Sequence, residues 1–141
     1  MNRHQLREHV FLLVFRAAFY SYEDMPEQIR LYIEEMEEPA REEDAELIEK
    51  KSSAVFARLS ELDKLINERT DHWNTDRMGK VELAIVRLAL YEMLFDDEVP
   101  QKVAVDEAVN LAREYGQDGS GQFVNGVLAR FISDDGEKQN K

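Results

Sequence analysis

The chain has 141 residues, no cysteine and a formal net charge of −12, a length that suits one domain with a sizeable core and a composition that excludes a disulfide framework, a thiolate zinc site and a cysteine nucleophile. The acidity speaks against nucleic acid only until its distribution is read, because residues 1–22 hold Arg3, Arg7 and Arg16 against Glu8, a net of +2, whereas residues 23–49 hold twelve acids against Arg30 and Arg41, a net of −10. A modest basic patch beside an acidic segment permits a local contact with a polyanion.

From Arg3 to Tyr20 the apolar residues Leu6, Val10, Leu13, Val14, Ala17 and Ala18 predict a helix, with Asn2 as its N-cap. Phe11, Phe15, Phe19 and Tyr22 form a second stripe, read as core, with base stacking reserved for whichever ring is exposed. The basic start has no small-residue cleavage site and no long uncharged apolar run follows, so the expectation is a cytoplasmic protein without a membrane segment. Asp24-Met25-Pro26-Glu27 is a helix-start signal, an acid able to accept from free amides followed by proline in the first turn. The helix it opens runs through Ile29, Tyr32, Ile33 and Met36 and ends near Pro39. The acidic run Glu34 to Glu46 reads as a solvated helix end and linker.

A long helix is predicted from about Arg41 to Asn67, its seam marked by Ile48, Ser52, Val55, Leu59, Leu62 and Ile66. A break near residue 60, with Ser60 and Asp63 capping a new helix, is the alternative. Asp71 to Asp76 reads as a connector, and His72 within it as a surface histidine, since no second ligand stands at helical spacing.

Val81 to Phe95 organises the rest: twelve of these fifteen residues are apolar, and they cover the helix nearly all round, the pattern of an element in the middle of a fold. It is too short and too charged for a membrane span. Its charges Glu82, Arg87 and Glu92 point three ways. Glu82 suits the positive helix end, whereas Glu92 in the last turn is disfavoured by roughly 0.3–1 kcal/mol and calls for a partner inside the fold.

Asp96 to Pro100 is a turn whose acids read as solvated. Lys102 to Tyr115 is helical, with Val105, Ala108, Val109 and Ala112 inward and Gly116 as C-terminal cap. Gly116 to Gly121 resembles a phosphate-cradling loop only superficially, having no preceding strand and no P-loop lysine. Ser120 is instead expected to cap a last helix with Phe123, Val124, Val127, Leu128 and Phe131 inward. Ser133 to Lys141 is polar and expected to be disordered.

The expected architecture is all-α, one domain over residues 1–132 with about six helices around a central buried helix, followed by the tail 133–141. His4, His9 and His72 include no pair four apart and no serine sits in a nucleophile elbow, so neither a catalytic constellation nor a metal or cofactor site is expected. Recognition is the better class of function.

Trp73-Asn74-Thr75-Asp76-Arg77, Val81 to Glu92, Val99-Pro100, Val103 to Ala112, Tyr115-Gly116 and Phe123 to Leu128, taken as a series, resemble the NusB family of bacterial transcription antitermination factors. Arg7-Glu8 with Val14-Phe15 is similar to that family's opening positions. The resemblance implies an all-helical, non-enzymatic protein that pairs with ribosomal protein NusE, binds boxA RNA and joins elongating RNA polymerase through that complex, notably in ribosomal RNA operons. By position, Arg3, His4 and Arg7 would contact phosphates, Phe15 stands at a tyrosine position, Gly119 to Phe123 would border the RNA, and Glu82 would face NusE. A homodimer is compatible with the sequence.

Departures from the family pattern bear on RNA. The N-terminal arginine cluster is thinned to Arg3 and Arg7, Gln122 replaces the customary lysine, and Gly119 and Gly121 replace bulkier polar residues. Weak RNA binding with a shallow salt dependence is expected without the partner. A helical protein-interaction module with weakened or lost RNA binding is the alternative. A domain of the kind attached to ribosomal RNA methyltransferases is disfavoured by the lack of a cofactor-binding domain, and an unrecognised enzyme stands last.

Overall fold

The computed structural model describes residues 1–36, 41–70 and 74–132. The helix end at Pro39, His72 and Trp73 of the connector, and the tail from Ser133 therefore lie outside the described residues. The chain divides into two units, Met1–Arg58 and Leu59–Lys141.

The first unit holds α1 (Arg3–Phe15), α2 (Met25–Glu34) and α3 (Glu42–Ala57). Asn2 caps α1 as expected: its Oδ1 accepts from the Gln5 amide at 2.8 Å, and Gln5 Oε1 accepts from the Asn2 amide at 3.0 Å, a reciprocal capping box. The helix stops short of the predicted Tyr20. A single 3₁₀ turn, Arg16–Ala18, follows it, with the Phe19 and Tyr20 amides both donating to the Arg16 carbonyl. Val10, Phe11, Leu13 and Val14 of α1 are buried, as are Ile48, Ser52, Val55 and Phe56 of α3, and the two helices pack together.

Pro26 lies in the first turn of α2 as predicted, but Asp24 does not accept from the helix amides. Its backbone has already turned helical at the end of a 3₁₀ turn, Tyr22–Asp24, and its carboxylate accepts instead from the Ser21 hydroxyl at 2.8 Å. An N-cap needs extended backbone to swing its side chain over the free N–H groups.

The second unit holds α4 (Leu59–Arg69), α5 (Lys80–Phe95), α6 (Gln101–Tyr115) and α7 (Ser120–Ala129). Among the described residues there are thus seven α-helices and no strand, one helix more than predicted. The extra helix arises where the alternative placed a break: Arg58 leaves the helical basin at φ −109°, ψ 10°, and α4 starts at Leu59, just before Ser60.

Helix α5 is buried along almost its whole length, and α4, α6 and α7 pack against it. Leu88, Leu90 and Met93 are at most 1% exposed, each contributing about 1.5–3 kcal/mol by leaving water. Its charges are accommodated individually. Arg87 grips Asp63 of α4 with two parallel bonds, Nε to Oδ1 at 2.8 Å and Nη2 to Oδ2 at 2.7 Å, the bidentate geometry that makes such pairs strong. Glu92 is 1% exposed and engaged, as its place in the last turn required. Past the turn, Gln101 satisfies the free carbonyl of Met93 from its side chain at 3.3 Å. The ends of α4 and α7 are joined by Arg130, whose guanidinium donates to the Arg69 carbonyl at 2.9 Å, while Arg69 lies over the Phe131 ring.

Candidate RNA and partner surfaces

In the first unit the predicted phosphate contacts all fall on α1, with different exposures. Arg3 is exposed, His4 is half-buried, and Arg7 is buried at 7% exposure; His4 and Arg7 both have partners within the protein. Of the N-terminal cations at neutral pH, Arg3 is therefore the one held out to solvent on α1. Phe15 is half-buried and meets Phe19 edge to face, with centroids 5.2 Å apart.

The aromatic stripe divides sharply by burial. Phe11 is 1% exposed and belongs to the core, whereas Phe19, Tyr20 and Tyr22 are 59%, 44% and 66% exposed. These three rings follow the early end of α1, where the chain no longer turns its stripe inward. Tyr20 was outside the stripe altogether, and only its place beyond the helix end marks it.

Beside α1 runs a groove of about 630 Å³ lined by Glu8, His9, Arg16, Tyr32 and Glu35 among others. His9 Nδ1 and the Tyr32 hydroxyl lie 2.6 Å apart, and Arg16 donates to Gln28 at 2.8 Å while stacking over the Tyr32 ring. Burial raises the Tyr32 pKa above its ordinary value, Arg16 opposing and Glu8 reinforcing the shift. The phenol therefore stays neutral through physiological pH. One arginine among two carboxylates does not make this groove a polyanion site.

In the second unit Glu82 occupies the third position of α5, with Gly79 as N-cap. Its carboxylate folds back over Gly79 so closely that a Cβ there would collide with it. Its other oxygen accepts from the Ser120 hydroxyl at 2.6 Å. Ser120 was expected to be the N-cap of the last helix; that place is taken by Gly119, whose φ of +88° is the left-handed region that glycine enters without strain. Ser120 is instead the first helical residue, and its Oγ also accepts from the Gln117 amide at 2.9 Å. Gly116 ends α6 as predicted, by leaving room and not by a left-handed turn: at φ −93° its missing Cβ avoids Ser120 and the Ala112 carbonyl.

Glu82, Gly119, Ser120 and Phe123 thus line one shallow depression of about 340 Å³, together with Arg77 and Asp118 among others. Gln122 is exposed and Phe123 half-buried. The second unit therefore brings Glu82 together with Gly119 and Phe123 of the predicted segment, while Gln122 does not line that depression. Ser120, the connecting residue, lies 38 positions from Glu82 in sequence, a separation at which no periodicity reports a contact.

The NusB family model matches residues 4–133. The chain belongs to the NusB family. The transcription antitermination protein NusB of Agathobacter rectalis is 48% identical over 131 residues, covering 93% of this chain and 99% of that relative. Among solved structures, T. maritima NusB is similar at a TM-score of 0.81 and 32% identity, covering 92% of this chain and 89% of the other. A chain from the structure described as "Crystal Structure of a Plectonemic RNA Supercoil" is similar at a TM-score of 0.79 and 26% identity, covering 92% of this chain and 95% of the other. The NusB resemblance read from the motifs of α5, α6 and α7 is therefore confirmed, together with the all-helical fold. No helix among the described residues is long and apolar enough to cross a membrane.

Proposed function

We propose that this protein is a non-enzymatic, cytoplasmic adaptor of transcription antitermination that pairs with ribosomal protein NusE, binds boxA-type RNA and reaches the elongating RNA polymerase as part of that complex. The observation that carries this reading is the 48% identity, over nearly the whole chain, to a relative named a transcription antitermination protein. The structural neighbour described by its RNA adds support for an RNA ligand. In this reading Arg3, His4 and Arg7 supply the basic start, Phe15 and the Gly119–Phe123 segment with Gln122 border the RNA, and Glu82 faces NusE. Residues 1–132 act as one domain with a short polar tail.

Unpaired RNA is held by arginines at phosphates and by rings against bases. The buried Arg7 and neutral Gln122 leave few cations for the first task, so the protein alone binds RNA weakly. This favours a second reading, a protein-interaction module with weakened RNA binding. Fluorescence anisotropy with a boxA-type RNA, with and without NusE, separates the two. Tight binding that requires NusE supports the adaptor; NusE binding without RNA supports the interaction module. Without NusE, log K is expected to fall against log salt with a slope of only about 1, since Arg3 is the cation held out to solvent on α1 and each phosphate contact contributes about 0.7. A slope twice as steep would contradict the thinned basic face.

A further inference from the structure

We infer that Ser120 is a positioning residue, holding the Glu82 carboxylate in place for the protein partner; the inference rests on the partner role of Glu82 proposed above. A glutamate on a surface helix samples many rotamers, and fixing one on binding weakens association. Here the fold fixes it beforehand. Ser120 donates to Oε2 at 2.6 Å, and the Gln117 amide donates to the serine oxygen at 2.9 Å, so the hydroxyl proton is left to the carboxylate. Three glycines make the arrangement possible. Gly79 leaves the space over which the carboxylate folds, Gly116 leaves the space Ser120 enters, where a Cβ would come within 2.6 Å of Oγ, and Gly119 supplies the φ of +88° that brings Ser120 into the first turn of α7. With Oε2 committed to the serine, the carboxylate keeps acceptor capacity for a cationic or N–H donor from the partner.

A residue that merely joined α5 to α7 would affect stability whatever stood at position 82. Positioning acts only through the carboxylate. Titration calorimetry of NusE into the full-length wild type, Ser120→Ala, Glu82→Ala and the double variant distinguishes these, with a thermal melt of each variant alongside. Ser120→Ala is expected to weaken NusE binding about tenfold, and in the Glu82→Ala background to weaken it less than about twofold further. Gly79→Ala, at φ −59° and ψ 148° a backbone that alanine adopts readily, displaces the carboxylate from the opposite side and is expected to weaken binding similarly. NusE affinity that depends on Glu82 but is unchanged in Ser120→Ala overturns the inference alone, as does an equal loss in both backgrounds. A wild-type protein that does not bind NusE, or a Glu82→Ala variant that binds as tightly as wild type, overturns the partner reading and the inference with it.

Discussion

If Glu82 faces NusE as proposed, Glu82→Arg is expected to weaken that pairing by about 100-fold or more, because it removes an acceptor and sets a positive charge in its place. The fold is expected to survive. Glu82 is half-buried at the start of α5, and the substitution forfeits one hydrogen bond to Ser120, a loss of about 1–3 kcal/mol, together with about 0.3–1 kcal/mol from placing a cation at the positive helix end. Titration calorimetry with NusE reads the affinity and far-ultraviolet circular dichroism the helix content. Unchanged affinity would remove Glu82 from the partner surface.

The largest effect on stability is expected at Asp63. Asp63→Ala leaves the Arg87 guanidinium, on a side chain only 11% exposed, without the carboxylate that takes two of its N–H groups. Breaking a buried pair from one side costs about 3–5 kcal/mol; because the Asp63 side chain keeps 26% of its exposure, the expected loss is about 2–4 kcal/mol. Replacing both partners with apolar residues, Asp63→Leu with Arg87→Met, is expected to recover most of that loss, since no charge is then stranded. Urea unfolding of the wild type and the two variants checks both statements. An Asp63→Ala midpoint equal to wild type would show that the ion pair contributes nothing.

The sequence was most informative where one physical signal dominated. Val81 to Phe95 could hardly be anything other than a buried helix, and α5 runs from Lys80 to Phe95. Asn2 was readable as a cap because the bond is local; the reciprocal bond to Gln5 was found only in the structure. The break at Arg58 was harder, since the Ile48-to-Ile66 seam keeps its threes and fours straight through it and no proline or glycine marks the place. Periodicity reports which side of a helix is apolar, and one residue leaving the helical basin, as Arg58 does, leaves that rhythm intact. Ser120 shows the same limit in the second unit. Its oxygen was expected to accept from the amides of its own helix, whereas Gly119 takes the cap and the hydroxyl donates to a carboxylate from another helix. Arg7 illustrates the converse, because composition counts a cation without saying whether folding will bury it. The exposure of Phe19 and Tyr22 likewise followed from α1 ending at Phe15, five residues before the predicted end.

Read-through past a terminator on a boxA-bearing template, in a transcription extract depleted of this protein, tests the proposed adaptor most directly. Adding the protein back is expected to restore read-through on that template and not on one with a scrambled boxA, and to fail when the added protein carries Glu82→Arg. Equal read-through with and without the protein, or restoration that ignores boxA, would contradict a role in antitermination through RNA and NusE.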